Sequence, residues 1–155
     1  MKIKTIFFAL SFIFLVFFFF PLLSILLNTY FGLPQYINRL VQIIGFILML
    51  LGTTLIFYCI NIFRLRGKGT PVPANPPNKL VKSGLYQYTR NPMHIGYLIT
   101  IFGLSLFFGY LLLYVYLVLL FIFLNSYLVF VEEPALIKRF DKKYKEYLKK
   151  VPRWF

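Results

Sequence analysis

The chain alternates between long uncharged apolar runs and short basic segments. No charged residue lies within 5–27, 40–63 or 91–131, and these runs are 23, 24 and 41 residues long. A helix that crosses a bilayer needs about 20 residues, so each of the first two runs predicts one spanning helix. As a single helix the third run would extend roughly 60 Å at ~1.5 Å per residue, about twice the thickness of a bilayer core.

We place a break in the third run at Phe108-Gly109-Tyr110, because glycine permits a tight turn and aromatic residues favour the membrane interface. The four predicted spans are then 5–27, 40–63, 92–107 and 111–131. Beyond them, apolar residues recur at helical spacing among lysines and arginines, which predicts an amphipathic helix over 134–150 on the membrane surface. The predicted fold is an all-α integral membrane protein: one domain, 1–155, with about four transmembrane helices and a C-terminal amphipathic cytoplasmic helix.

Charge placement indicates the orientation. The net charge is +13, which by itself would suit nucleic-acid binding, but the basic residues lie between the apolar runs, as the positive-inside rule describes. With four crossings, sixteen of the seventeen lysines and arginines fall on one side and only Arg39 on the other. We therefore expect a multi-pass protein with both termini in the cytoplasm, surrounded by membrane lipids, and no nucleic-acid partner.

The connection over 64–91 holds the first candidate chemistry. Its proline-rich part, with Pro71, Pro73, Pro76 and Pro77, predicts a stiff extended loop. Arg90-Asn91-Pro92 closes the loop, and here we expect Asn91 to cap the third helix, with Pro92 in its first turn. The helix-start amides and the Arg90 guanidinium would suit a carboxylate or phosphate. The alternative is that Arg90 only reaches the lipid headgroups.

Few other residues carry chemistry. His94 is the only histidine, and no Cys, Asp or second His lies near it in sequence, so no metal site is predicted. Glu132 and Glu133 make up half of the carboxylates and follow the fourth helix. They either offset nearby basic residues or direct a carboxylate towards a cation or hydroxyl group bound between the third and fourth helices.

Three blocks resemble the isoprenylcysteine carboxyl methyltransferase and phospholipid methyltransferase superfamily of membrane enzymes, over about residues 40–155. The first block is Gly69-Thr70-Pro71-x-Pro73-x-x-Pro76-Pro77-x-x-Leu80-Val81. The second is Gly84-x-Tyr86-x-x-x-Arg90-Asn91-Pro92-Met93-x-x-Gly96. The third is Glu132-Glu133 followed by Leu136, Phe140, Tyr144, Tyr147 and Val151-Pro152.

The resemblance implies an S-adenosylmethionine-dependent methyltransferase that acts on a lipophilic small molecule or a lipid-anchored substrate. It implies a cofactor site at the cytoplasmic ends of the third and fourth helices, formed by Asn78, Lys79, Leu80, Val81, Tyr86, Asn91, Pro92, Met93, His94 and Glu132. We place Arg90 and Glu133 at its catalytic end, and assign no general base because the sulfonium is already an activated donor.

Two departures from the family pattern bear on the substrate. Asn91 and His94 stand where many members carry His and Tyr, and both retain hydrogen-bonding groups. Leu128 occupies the position at which the prenylcysteine enzymes have an arginine for the substrate carboxylate, so a prenylcysteine acceptor is not expected. The alternative functions are a membrane sterol or steroid reductase using NADPH, whose C-terminal hairpin is similar, and a non-catalytic membrane protein.

Overall fold

The computed structural model describes residues 3–67, 69 and 77–154, and these residues form helices joined by short connections. Most of the proline-rich stretch, including Pro71, Pro73 and Pro76, lies outside the described residues. The α-helices are α1 (Ile3–Phe14), α2 (Phe20–Tyr30), α3 (Arg39–Ile62), α4 (Pro92–Phe108), α5 (Leu111–Tyr127), α6 (Glu133–Phe140) and α7 (Lys142–Lys150). Three π-helical turns, Leu15–Phe19, Phe63–Gly67 and Leu128–Glu132, and a 3₁₀ turn, Gly84–Gln87, complete the described elements.

Three continuous helices are long and apolar enough to cross a membrane: Ala9–Tyr30, Arg39–Gly67 and Leu111–Phe140. Each joins regular α-helix to a π-helical turn without a break in the chain direction. The helix α4 is also apolar but has 17 residues, so it extends about 25 Å at ~1.5 Å per residue. The described part of the chain is thus a helical membrane protein with three full-length candidate spans and one shorter apolar helix.

Glycines let α3 and α4 pack at close range. Gly45 and Gly52 on α3 face Gly103 and Gly96 on α4, and the two pairs are each seven residues apart along their helices. A β-carbon on Gly45 would lie 2.6 Å from the backbone oxygen of Gly103, and one on Gly52 would lie 2.8 Å from that of Gly96. These distances are too short for any side chain, so the two backbones touch along this stripe, as in close helix pairs within membranes.

The connection between α2 and α3 packs against the turn between α4 and α5, so both lie at one end of the helices. Gly109 adopts φ 69°, and its oxygen accepts a hydrogen bond from the Tyr36 amide at 2.9 Å. Asn28 is 1 % exposed; it donates to the Leu33 oxygen at 2.9 Å and accepts from the Leu112 amide at 3.0 Å. Its amide is therefore satisfied within apolar surroundings.

The other end holds the end of the α3 segment, the described part of the 64–91 connection and the C-terminal residues. The stretch 134–150 was predicted as one helix, but the structure divides it. The helix that starts at Leu111 continues to Phe140 and ends there, because Asp141 has φ 39°, outside the helical range. The following helix α7 buries Tyr144 and Tyr147 against Leu136, Phe140 and other apolar residues. The apolar side of α7 therefore packs on α6 and on Leu80 of the 64–91 connection.

Candidate functional site

The site is built around the first turn of α4, where the sequence predicted a side-chain cap. Asn91 does occupy the N-cap position, but its side chain does not bond to the helix amides. Its Nδ2 instead donates to the backbone oxygen of Arg153 at 3.0 Å. The expectation that Asn91 caps α4 through its side chain is therefore wrong, because the bond from Nδ2 to the tail orients the side chain so that Oδ1, the capping acceptor, accepts from none of the helix amides. A lost Asn cap costs a helix typically ~1 kcal/mol.

Because the Asn91 side chain does not cap α4, the backbone amides of the first turn are left without a side-chain acceptor. Pro92 has no N–H, and no described residue accepts a hydrogen bond from the amides of Met93 or His94. The first amide with a backbone partner is that of Ile95, which donates to the Asn91 oxygen at 3.1 Å. Such amides, at the positive end of a helix dipole, favour an anionic group.

The Glu133 ion-pair cluster, Arg90, Glu133 and Arg153, lies beside this helix start. Glu133 Oε1 accepts from Arg90 Nη1 at 2.8 Å and from Arg153 Nε at 2.8 Å, and its Oε2 accepts from Arg153 Nη2 at 3.0 Å. The side chains of Arg90 and Glu133 are only 11 % and 14 % exposed. Arg90 thus points into the protein, and two guanidinium groups together take up the Glu133 carboxylate.

Electrostatics at the cluster follow from these contacts. The hydrogen bonds with Glu133 raise the pKa of Arg153, since they stabilise its charged form. Burial, together with the charge of Glu133, raises the pKa of Tyr144 to about 12, although the Arg90 guanidinium opposes this. The cluster also contains a buried polar atom, Arg90 Nε, with no hydrogen-bond partner among the described residues.

Glu132 has different surroundings from its neighbour. It ends the π-helical turn Leu128–Glu132, and Glu133 begins α6. Glu132 is partly buried, and it forms no hydrogen bond or ion pair with any residue that the structure describes. Burial raises the pKa of Tyr86 well above its usual value, and the neighbouring Cys59 and then the charge of Glu132 raise it further. Of the two adjacent glutamates, Glu132 is therefore the one without a partner among the described residues.

The 64–91 connection returns to the end of the α3 segment before it reaches α4. The amides of Asn78 and Lys79 donate to the Gly67 oxygen at 2.9 and 3.3 Å, and both side chains are exposed. Val81 and Tyr86 are buried with Cys59 and Ile62 of α3 in one apolar cluster. Leu80 packs on the other side, against Tyr144, Tyr147 and Val151.

Met93 and His94 complete the set of predicted cofactor residues. Met93 packs against two apolar clusters, that of Tyr86 and that of Tyr97 with Ile101. His94 lies edge-on to the Tyr97 ring, with 5.5 Å between the ring centroids. Pro92 and Asn91 are buried at the start of the helix. The structure therefore gathers Val81, Tyr86 and 91–94 around the start of α4, while the side chains of Asn78 and Lys79 point to the surface.

Two residues at this end were not predicted from the sequence, Arg153 and Trp154. Trp154 Nε1 donates to Asn125 Oδ1 at 3.1 Å, and its ring lies 5.3 Å from that of Phe121. A basic residue and the only tryptophan of the chain, just after the last helix, were the available signal. Their partners lie on α5 and α6, 20 or more residues away, so sequence spacing alone did not indicate these contacts.

Two cavities border the site. One is apolar, about 230 Å³, and is lined by Leu55, Leu85, Tyr88, Thr89, Pro92, Ile95 and Trp154. The other is more polar, about 340 Å³, and is lined by Lys82, Gln87, Glu146, Tyr147, Lys150 and Val151. Each cavity is therefore lined in part by the residues after α7, Trp154 in the first and Val151 in the second.

The long apolar helices define an integral membrane protein, and the site lies at the start of α4, next to the helix that runs from α5 into α6. The family model for phospholipid methyltransferase matches residues 40–143, more than half of the 155-residue chain. The chain therefore belongs to the phospholipid methyltransferase family, a family of membrane methyltransferases, and the resemblance predicted from the sequence is confirmed. Neither a curated protein nor a solved structure matches the chain.

Proposed function

We propose that the protein is an S-adenosylmethionine-dependent methyltransferase that acts on a lipophilic or membrane-associated acceptor. The single observation that carries this proposal is the contrast between the two adjacent glutamates. Glu133 is held by two arginines, whereas Glu132 is partly buried and has no hydrogen-bonding partner in the described part of the chain. Family membership supplies the reaction class, and Glu132 supplies an unsatisfied group for a cationic or hydroxyl-bearing ligand.

The chemistry of the residues present fits this cofactor. The amides of Met93 and His94, which no described residue uses, would hold the methionine carboxylate. Glu132 would accept hydrogen bonds from the ammonium group or the ribose hydroxyls. Val81 and Tyr86 would supply apolar and aromatic walls, since both are buried beside α3. For Asn78 and Lys79 we propose only a backbone role, because their amides fix the loop to Gly67.

The cofactor would bring an activated methyl group on a positive sulfur. The protein would therefore have to orient and desolvate the reacting groups, with little need for proton transfer. Closely packed side chains around the start of α4 would align the acceptor with the methyl group and exclude water. Arg90 and Glu133, which we predicted at the catalytic end, pair with each other. We propose that they act by fixing α4 and α6 in register, which sets the direction of Glu132.

One residue, Leu128, limits the classes of methyl acceptor that fit the site. Leu128 is 1 % exposed and carries no charge, where the prenylcysteine enzymes have an arginine. A buried leucine offers nothing to a substrate carboxylate, so we propose a lipid amine, a thiol or another small membrane-soluble nucleophile as the acceptor.

We propose that α4 completes a fourth crossing and that both termini lie in the cytoplasm. The described helix ends support an even number of crossings, because the 64–91 connection and the C-terminal residues meet at one end of the molecule. The basic residues concentrate at the same end, as the positive-inside rule requires of the cytoplasmic side.

Methyl transfer from labelled cofactor into a membrane extract tests the function. Purified full-length protein, in detergent or nanodiscs, is expected to label a product that extracts into organic solvent, and mass spectrometry would then identify it. The Glu132→Gln variant, prepared in the same way, is the matched control and should label little. No transfer by the wild type, together with no binding of S-adenosylhomocysteine, would reject the proposal.

A further inference from the structure

The C-terminal tail, residues 151–154, follows α7 and returns to the start of α4. The Arg90 amide donates to the Pro152 oxygen at 3.0 Å. Thr89 Oγ1 and Asn91 Nδ2 both donate to the Arg153 oxygen, at 3.1 and 3.0 Å. Three consecutive residues before α4 are therefore bonded to two consecutive carbonyl groups of the tail.

The side chains of the tail reach the other half of the site. The Arg153 guanidinium makes a two-point contact with the Glu133 carboxylate, at 2.8 and 3.0 Å. Trp154 bonds to Asn125 on α5, and Val151 is buried with Tyr144 and Tyr147. The tail thus contacts the start of α4 through its backbone and contacts α5 and α6 through its side chains.

These contacts bear on the two groups that the proposed function uses. The Arg153 oxygen accepts from Asn91 Nδ2 and so orients that side chain with its Oδ1 away from the backbone amides of Met93 and His94. The Arg153 guanidinium fixes Glu133, the residue next to Glu132, while Glu132 itself has no described partner that would orient it. A single tail residue therefore influences both sides of the site.

We infer that the C-terminal tail is a positioning element of the cofactor site, with Arg153 as its principal residue. Arg153 holds the start of α4 and the end of the α5–α6 helix at a fixed separation, and it keeps the α4 amides uncapped. The inference rests on the proposed function for the identity of the ligand. It adds that the tail, which lies beyond the family match at residue 143, determines the affinity for that ligand.

Three variants of the full-length protein test this role. Arg153→Gln removes the charge and the two-point contact, Arg153→Lys keeps the charge but loses the planar fork, and Lys149→Gln is the control. Lys149 is exposed on α7 and also loses one positive charge in its variant. We expect Arg153→Gln to weaken S-adenosylhomocysteine binding by about tenfold or more, because small misplacements of binding groups have large effects. Arg153→Lys should recover part of that loss, and Lys149→Gln should bind as the wild type does.

A second measurement keeps this test separate from the proposed function. Without ligand, hydrogen exchange in peptides covering 88–95 should be faster in Arg153→Gln than in the wild type or Lys149→Gln. Loss of the Glu133 contact loosens the tail, and the Pro152 oxygen of the tail accepts from the Arg90 amide. If the wild type bound no S-adenosylhomocysteine but exchange behaved as expected, the proposed function would fail while the tail contact would stand. If Arg153→Gln bound the ligand as tightly as the wild type, the positioning role would be wrong, whether or not exchange changed.

Discussion

Glu132 and Glu133 are adjacent in sequence, and we expect glutamine at the two positions to change different properties of the protein. Glu133 accepts three hydrogen bonds from two arginines, and its side chain is 14 % exposed. Glutamine there retains one oxygen but presents an NH₂ group to donor groups of the arginines. It also leaves two guanidinium charges without a counter-ion.

The magnitude follows from the number of bonds lost. Oε1 accepts two of the three hydrogen bonds and Oε2 accepts one, so a glutamine that keeps its oxygen at the Oε1 position loses the third bond, and the neutral side chain weakens the other two. Breaking a buried ion pair by neutralising one partner costs about 3–5 kcal/mol. For a chain of this length ~1 kcal/mol lowers Tm by about 2–4 °C, so Glu133→Gln should lower it by about 10 °C. Glu132→Gln removes a partly buried charge that has no described partner, so its Tm should stay the same or rise.

Thermal unfolding and ligand calorimetry in one detergent provide the assay. Glu132→Gln should keep the wild-type Tm and lose S-adenosylhomocysteine affinity, whereas Glu133→Gln should lose stability first. Glu146→Gln, at an exposed position on α7, is the control for loss of one carboxylate. Equal Tm changes in Glu132→Gln and Glu133→Gln would refute the assignment of one glutamate to structure and the other to the ligand.

Two further predictions concern the fold. Gly52→Val should lower Tm by several degrees or prevent folding, because its β-carbon would lie 2.8 Å from the Gly96 oxygen and overpacking typically costs about 1–3 kcal/mol or more. Thr54→Val, at an exposed position on the same helix, is the control and should have little effect on Tm. Equal Tm values for the two variants would contradict the close contact. A topology reporter fused at the C-terminus should be active in the cytoplasm, and one inserted beside Leu33 should not; the reverse result would overturn the proposed orientation.

Much of the helical framework follows from hydropathy, and the structure adds where the helices end. The turn at Gly109 was predictable because a 41-residue apolar run is too long for one crossing and glycine tolerates positive φ. The end of the last long helix was not. Pro134 is the first residue of the predicted 134–150 helix, yet proline is also tolerated in the first turn of α6, where the helix continues from the π-helical turn before it. The break falls at Asp141 instead.

The candidate site was predictable at the level of segments and less so at the level of contacts. Arg90, Asn91 and the two glutamates do meet at one end of the molecule, because a short helical pair returns the chain to that end. The tail determines which arginine neutralises which glutamate. Arg153 lies 20 residues beyond Glu133, and the helix that carries Glu133 ends between them, at Asp141. Similarly, local sequence preferences favour an Asn91 cap, and only the tertiary contact with the Arg153 oxygen overrides them.

The uninterrupted helix from Leu111 to Phe140 also determines the depth of the site. Its 30 residues extend roughly 45 Å, against a hydrocarbon core of about 30 Å. Glu132 lies 21 residues after Leu111, or about 32 Å along that axis, which places it where hydrocarbon gives way to headgroups. Under the proposed function, a water-soluble methyl donor would therefore arrive from the aqueous phase and a lipid acceptor would diffuse in laterally. Neither partner has to leave its own solvent for the two to meet.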